Sequence, residues 1–148
     1  SYPVSFILKK DLLFTYRRGD SKTFADAVRR MKVSSENLHS GADLFLMLLE
    51  TRIEADADIL EAISRDITAL SKAITADQKP NQNSLLKITT LQEQTMMLRE
   101  TIIDKQRVLS GVLRSWLFPE NQKEHLRIIL KDVNSLLEYS TFNFERLE

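Results

Sequence analysis

Residues 42–116 decide the fold, and they read ADLFLMLLETRIEADADILEAISRDITALSKAITADQKPNQNSLLKITTLQEQTMMLRETIIDKQRVLSGVLRSW. Apolar side chains recur every seven residues along both halves, a pattern typical of a helix that keeps one seam against a partner helix. The first half contributes Leu46, Ile53, Leu60, Ile67 and Ile74, with Leu49, Ile63 and Leu70 between them. The second half contributes Ile88, Ile102, Leu109 and Trp116, with Leu91, Leu98 and Val112 between them.

The polar break DQKPNQN, residues 77–83, separates the two halves. Pro80 cannot continue a helix, so the sequence predicts two antiparallel arms over residues 42–76 and 84–116. Each arm has roughly 33 to 35 residues and is therefore a rod about 50 Å long at ~1.5 Å per residue.

Two charged residues interrupt the apolar seam. Asp56 takes a position equivalent to that of Leu49 and Ile63 in the first arm, and Lys105 is equivalent to Leu98 in the second. In an antiparallel hairpin that turns near residue 80, these two positions face each other, so we expect the side chains to meet. Polar residues in a seam fix its register at a cost in stability. The alternative is that both are surface residues beyond the core.

Residues 1–33 predict a partial α/β unit. Val4–Leu8 and Leu12–Tyr16 are short runs rich in β-formers, which indicate a β-hairpin, and a short helix follows. A two-stranded hairpin alone is marginal in water, so we expect it to belong to a larger sheet with further strands upstream. Residues 34–41 have little periodicity and are predicted to be a linker.

A third long helix is predicted over residues 121–148, after Pro119. Its apolar line contains Leu126, Leu130, Val133, Leu137, Phe144 and Leu147. The fold class is therefore α+β and mostly α, with a three-helix unit over residues 42–148. Because the apolar line is still running at Glu148, we expect the helix to continue in a longer protein.

Composition excludes several classes of protein. The chain has 148 residues, of which 43% are hydrophobic, as in globular proteins, and no cysteine for a disulfide or a thiolate metal site. The longest apolar run, Leu44–Leu49, is far shorter than the ~20 residues of a membrane span, and no signal peptide is visible. The formal charge is zero overall, but residues 1–33 carry eight Lys or Arg against three Asp. We interpret this excess as a solvated surface and expect no nucleic-acid partner.

No pattern of catalytic residues is present. Glu36 and His39 have the spacing of one carboxylate di-iron motif, but such sites need two motifs and two further carboxylates. Two histidines without cysteine argue against structural zinc. No nucleophile–base pair and no glycine-rich phosphate loop is found, so we expect neither an enzyme nor a bound cofactor.

The chain resembles one known family in the order of its elements. FILKKDLLFTY (6–16) and FADAVRRM (24–31) are similar to the last strands and the following helix of the cytoplasmic domain in the CorA family of divalent-cation transporters. Residues 42–116 resemble the long "willow" helices of that family. VLSGVL (108–113) stands where family members have an LREVL-like stretch, and residues 126–127 and 143–146 fall on the stalk helix that leads into the membrane.

The resemblance implies a cytosolic regulatory domain, the funnel, of a magnesium transporter at the cytoplasmic face of the cell membrane. It implies a homopentamer whose stalk helices continue into transmembrane helices beyond Glu148, where the Gly-Met-Asn hallmark of the family would lie. Magnesium is the usual transported ion. Zn²⁺ or Co²⁺ is the alternative, and the zinc-carrying ZntB branch is the nearest other group. A soluble helical scaffold or adaptor remains the alternative from outside the family.

One departure from the family concerns metal. In magnesium-gated members an acidic residue directly follows a Phe-Arg-like pair early in the stalk helix, whereas here HLRII (125–129) places Ile128 there. An isoleucine cannot ligate a hydrated cation, because Mg²⁺ requires oxygen ligands or their water shell. We therefore expect no inter-subunit magnesium site of the usual kind, and no pentamer assembled by magnesium alone. Asp132, one helical turn further on, is the remaining candidate ligand.

Overall fold

A β-hairpin and a set of long helices make up the protein. The computed structural model describes residues 3–77 and 79–148. Strands β1 and β2 span Val4–Lys9 and Leu12–Arg17. Helices α1, α2, α3 and α4 span Lys22–Val33, Gly41–Asp77, Gln82–Arg114 and Lys123–Glu145, and short 3-10 turns lie at Ser35–Asn37 and Glu120–Gln122. The predicted class, α+β with mostly helix, is confirmed.

The hairpin docks on the start of α2. Its strands pair antiparallel from Val4 opposite Arg17 to Lys9 opposite Leu12. A Cβ atom on Gly41 would lie 2.7 Å from the carbonyl carbon of Leu12, so only glycine allows this approach of helix to strand. The Phe6 ring of β1 meets the Phe45 ring of α2 edge to face, with centroids 5.4 Å apart. Aromatic packing and a missing side chain therefore fix the hairpin on the helices.

Helices α2 and α3 bury the seam that the seven-residue repeat predicted. The buried members are Leu46, Leu49, Ile53, Leu60, Ile63, Ile67 and Leu70 on α2 and Leu91, Leu98, Ile102 and Leu109 on α3. Ile74, Ile88 and Val112 are partly buried at its margins. Helix α3 begins earlier than expected, because the Asn81 side chain accepts a hydrogen bond from the Ser84 backbone N–H at 2.8 Å and caps the first turn.

The prediction that Trp116 is the last buried residue of the α3 seam is wrong. Helix α3 ends at Arg114, and the Trp116 side chain is 86% exposed in the following turn. Phe118 enters the core instead, with its ring centroid 6.3 Å from that of Phe45. The residue before a proline avoids the helical region, so the chain must leave the helix before Pro119. That exit carries Trp116 off the seam.

Helix α4 packs against both α2 and α3, and its buried side differs from the predicted line. Leu126, Val133 and Leu147 are buried as expected, whereas Leu130, Leu137 and Phe144 are only partly buried. Ile129, Ser140 and Asn143 are buried in addition. The buried face of α4 is therefore not the face that its largest apolar side chains predicted.

Candidate functional site

Asp56 is the most deeply buried charged side chain in the described residues, with no exposed surface. Its Oδ2 atom lies 2.6 Å from Nζ of Lys105 on α3. Its Oδ1 atom lies 2.9 Å from Nη2 of Arg52, one turn earlier on α2. The two seam charges thus meet across the hairpin, as their heptad positions predicted. Arg52 was missed as a partner, although its i, i+4 spacing from Asp56 is visible in the sequence.

The Lys105 ammonium titrates below its usual range. Burial lowers the pKa of Lys105, and the attraction of Asp56 offsets only part of this effect. The ammonium also donates to the Thr101 backbone carbonyl at 3.3 Å. Lys105 is held by its own helix and by a carboxylate of the facing helix, so it joins the two arms.

The triad of Asp56, Lys105 and Arg52 is suited to a structural role. Both oxygens of the Asp56 carboxylate are already engaged by cations, so the group offers no free ligand to a metal ion. A buried carboxylate between two cations stabilises one arrangement of two helices, because any shift in register leaves a charge unpaired.

The candidate metal ligand on α4 faces solvent. Asp132 is exposed and forms no hydrogen bond or ion pair with any described residue. Ile128, one turn earlier, is 55% exposed. Across residues 3–77 and 79–148, no three His, Asp or Glu side chains lie close enough together to hold a metal ion.

A second group of polar contacts ties together the end of the molecule that carries the hairpin. His125 of α4 contacts Glu50 of α2, and Arg30 of α1 pairs with Glu54 of α2. A cleft of about 290 Å³ lies between them, and one of about 340 Å³ lies beside the linker. The carboxylates of the first cleft are already paired, so these contacts fasten α1 and α4 to α2.

Asp43 caps α2 and also contacts the 3-10 turn that precedes α4. Burial raises the pKa of Asp43, but the hydrogen bonds from the His39 backbone, the Gln122 side chain and Ser40 outweigh it and leave the pKa below its usual value. The Ser40 hydroxyl in turn accepts from the Asp43 backbone N–H at 3.2 Å. His39 therefore contributes to this cap through its backbone N–H.

Three neutral polar residues are buried where α3 meets α4, and the sequence reasoning missed all three. Thr95 and Ser140 donate their hydroxyl protons to backbone carbonyls of their own helices, those of Leu91 and Leu137, at 2.7 Å. Neither side-chain polar atom of Asn143 has a hydrogen-bond partner in the described part of the chain. Their seven-residue spacing from Ile88, Val133 and Leu136 was the available signal.

Among the described residues, no helix has a stretch long and apolar enough to cross a membrane.

The known proteins that this chain resembles in sequence belong to one family. The family model described as CorA-like Mg²⁺ transporter protein matches residues 1–148. The magnesium transport protein CorA of Wolinella succinogenes is 34% identical over 145 residues, which cover 98% of this chain and 45% of that protein. Those of Campylobacter jejuni and Helicobacter pylori are 33% and 30% identical, and cover 98% and 97% of this chain and 45% and 46% of their own lengths.

A solved structure shares the fold. The complete structure of the CorA magnesium transporter from Methanocaldococcus jannaschii superposes with a TM-score of 0.84 at 17% identity, over 96% of this chain and 46% of that one. At this identity the likeness establishes the arrangement of strands and helices alone. The chain spans less than half the length of each relative named here.

Proposed function

Because the chain belongs to the CorA-like Mg²⁺ transporter family, we propose that it is the cytosolic regulatory domain, or funnel, of a magnesium transporter. The observation that carries this proposal is the family match over residues 1–148. The relatives are named as magnesium transport proteins and are about twice as long as this chain. Transport of Mg²⁺ is therefore proposed for a longer protein in which these residues have a non-enzymatic role.

In this proposal α4 is the stalk that leads toward the membrane, and five copies assemble around it. The outer face of α4 carries Ile128 and Phe142, whose side chains are 55% and 53% exposed. Large exposed apolar side chains that share one face mark a surface suited to contact with another chain. This exposure supports a contact between chains, and we propose the homopentamer on the cytoplasmic face of the cell membrane from the family relationship.

We further propose that residues 1–33 are part of a larger α/β unit. The hairpin turns Phe6, Leu8 and Leu13 toward α2, while Ile7 and Phe14, which pair across the strands, face outward. Ile7 and Phe14 are 64% and 54% exposed. A two-stranded sheet with apolar side chains on both faces needs cover on the second face as well.

Reconstitution of the full-length protein in liposomes tests the transport proposal. We expect Mg²⁺ entry, followed with an indicator dye, that empty liposomes lack. Entry of Zn²⁺ without Mg²⁺ would replace the proposal with the zinc branch, and intact protein that passes no divalent ion would favour a scaffold. The gene should also encode two apolar stretches of about 20 residues after Glu148.

For metal sensing, we propose that this chain has no magnesium site of the usual stalk type. The exposed Ile128 side chain offers no oxygen, and Asp132 belongs to no cluster of three or more His, Asp or Glu side chains among the described residues. We expect the melting temperature in millimolar Mg²⁺ to equal that in monovalent salt of matched ionic strength. A site filled at 100 times its dissociation constant would add about 2.7 kcal/mol.

Asp132→Asn and the matched exposed variant Asp58→Asn complete this test. A magnesium-specific rise in melting temperature that Asp132→Asn abolishes and Asp58→Asn keeps would show that Asp132 belongs to a real site.

A further inference from the structure

The buried side of α4 changes character along the helix. In its first half the buried side chains are Leu126, Ile129 and Val133, which are all apolar and at most 2% exposed. In its second half they are Ser140 and Asn143, both fully buried. The first half is thus anchored by apolar packing, and the second half places amide and hydroxyl groups where the seam is otherwise apolar.

Asn143 opposes the docking of that second half. Neither Nδ2 nor Oδ1 of Asn143 has a hydrogen-bond partner within residues 3–77 and 79–148. Arg99 of α3 contacts Ser140, and Gln92 of α3 contacts the Leu147 carbonyl. These two contacts place Thr95 of α3 at about the same level as Asn143 of α4. The Thr95 hydroxyl proton is already used on its own helix. A buried amide without partners favours any state in which water reaches it.

The contacts that flank Asn143 are polar and exchangeable. Tyr139 donates to the Ser64 hydroxyl of α2 at 2.7 Å, and Arg146 donates to the Thr68 hydroxyl at 2.8 Å. On the other side, Arg99 of α3 donates to the hydroxyl of Thr141. Water replaces such hydrogen bonds at a small net cost, since the freed groups are solvated when they separate.

Two apolar side chains of this segment act in the opposite direction, and one of them, Phe144, is partly buried. Leu147, at the end of this segment, is 7% exposed and belongs to the core. The docked state therefore gains burial of Leu147 and loses hydration of Asn143. A segment with balanced contributions of this kind opens locally without unfolding the rest of the molecule.

We propose that residues 138–147, the end of α4 and the two residues after it, form a conformational switch. They open from α2 and α3 as a unit, while the apolar anchor at Leu126, Ile129 and Val133 stays packed. Asn143 sets the equilibrium between the docked and the open state. In the open state its amide is hydrated, and Arg99 and the Ser64 hydroxyl become free to bind other groups. This property belongs to the folded chain and does not depend on the transport role.

Residue-resolved hydrogen exchange of the 148-residue chain tests the proposal. Asn143→Leu keeps the size and branching of the side chain and removes its polar atoms. We expect this variant to slow exchange of the backbone amides of residues 138–147 at least tenfold, with those of residues 126–133 within twofold of the parent. Asn143→Asp, which buries a charge, should speed exchange in residues 138–147 at least tenfold.

Asn134→Leu is the matched control, because it makes the same substitution on the exposed side of α4. It removes one hydrogen bond between α3 and α4, which Asn134 accepts from Gln106 at 2.6 Å, so any effect of that loss is to loosen the helix and not to slow exchange. We expect it to leave exchange in residues 138–147 within twofold. Unchanged rates in Asn143→Leu would overturn the proposal and indicate ordinary fraying of a helix end. Equal slowing by Asn134→Leu, or slowing of residues 126–133 to the same extent, would also overturn it in favour of helix propensity or global stability.

Discussion

Asp56 and Asn143 are both fully buried polar side chains in apolar helix seams, yet only Asp56 has partners. Lys105 and Arg52 have long stems that carry their charged groups to the Asp56 carboxylate from two directions. Asn143 has a short amide, and the hydroxyl of its buried neighbour Ser140 donates to its own helix. The reach of neighbouring side chains, not burial itself, decides whether a buried polar group holds a structure together or loosens it.

The largest expected effect is the loss of Asp56. Asp56→Ala leaves the Lys105 ammonium buried without its carboxylate, and breaking a buried pair in this way typically costs about 3–5 kcal/mol. Replacing both residues, Asp56→Leu with Lys105→Leu, removes both charges and fills the seam. We expect the double variant to lose less than half as much free energy of unfolding in urea.

Arg52 remains in both variants, but its side chain is 38% exposed and can turn to water. A double variant as unstable as Asp56→Ala would show that the two charges do not act as a pair. We expect Asn143→Leu to stabilise its segment. The contrast between a buried polar group that stabilises the structure and one that loosens it would then no longer hold.

A smaller effect concerns pH. The pKa of Lys105 in the folded chain lies below its usual value of 10.5 because burial disfavours the charged form. Between these two values the unfolded chain binds more protons at this residue, so the stability that Lys105 contributes rises with pH in that window. We expect the free energy of unfolding of the parent, relative to Lys105→Met, to increase as the pH rises toward 10.5.

All other ionisable groups are common to both proteins, so the difference isolates Lys105. A difference that decreases with pH would mean that attraction to Asp56 outweighs burial and raises the pKa. The pair would then be a stronger link between the helices than the structure indicates.

Four features could be predicted from the sequence alone: the hairpin, the four helices, the antiparallel turn and the contact of Asp56 with Lys105. These features follow from local rules. A seven-residue repeat selects one face of each helix, Pro80 ends the first arm, and an antiparallel turn of known position sets which residues face each other. The family resemblance likewise rested on the order of these elements, and the comparisons confirmed it.

The placement of the third long helix and of the connections could not be predicted from the sequence, because it depends on tertiary contacts. Which face of α4 is buried depends on fitting against two helices at once, so Ser140 and Asn143 were drawn into the seam although their own chemistry favours water. Phe118 packs in the core against Phe45, whereas Trp116, which was expected in the seam, is exposed. Such outcomes depend on contacts between distant segments, which the spacing of residues along one helix does not contain.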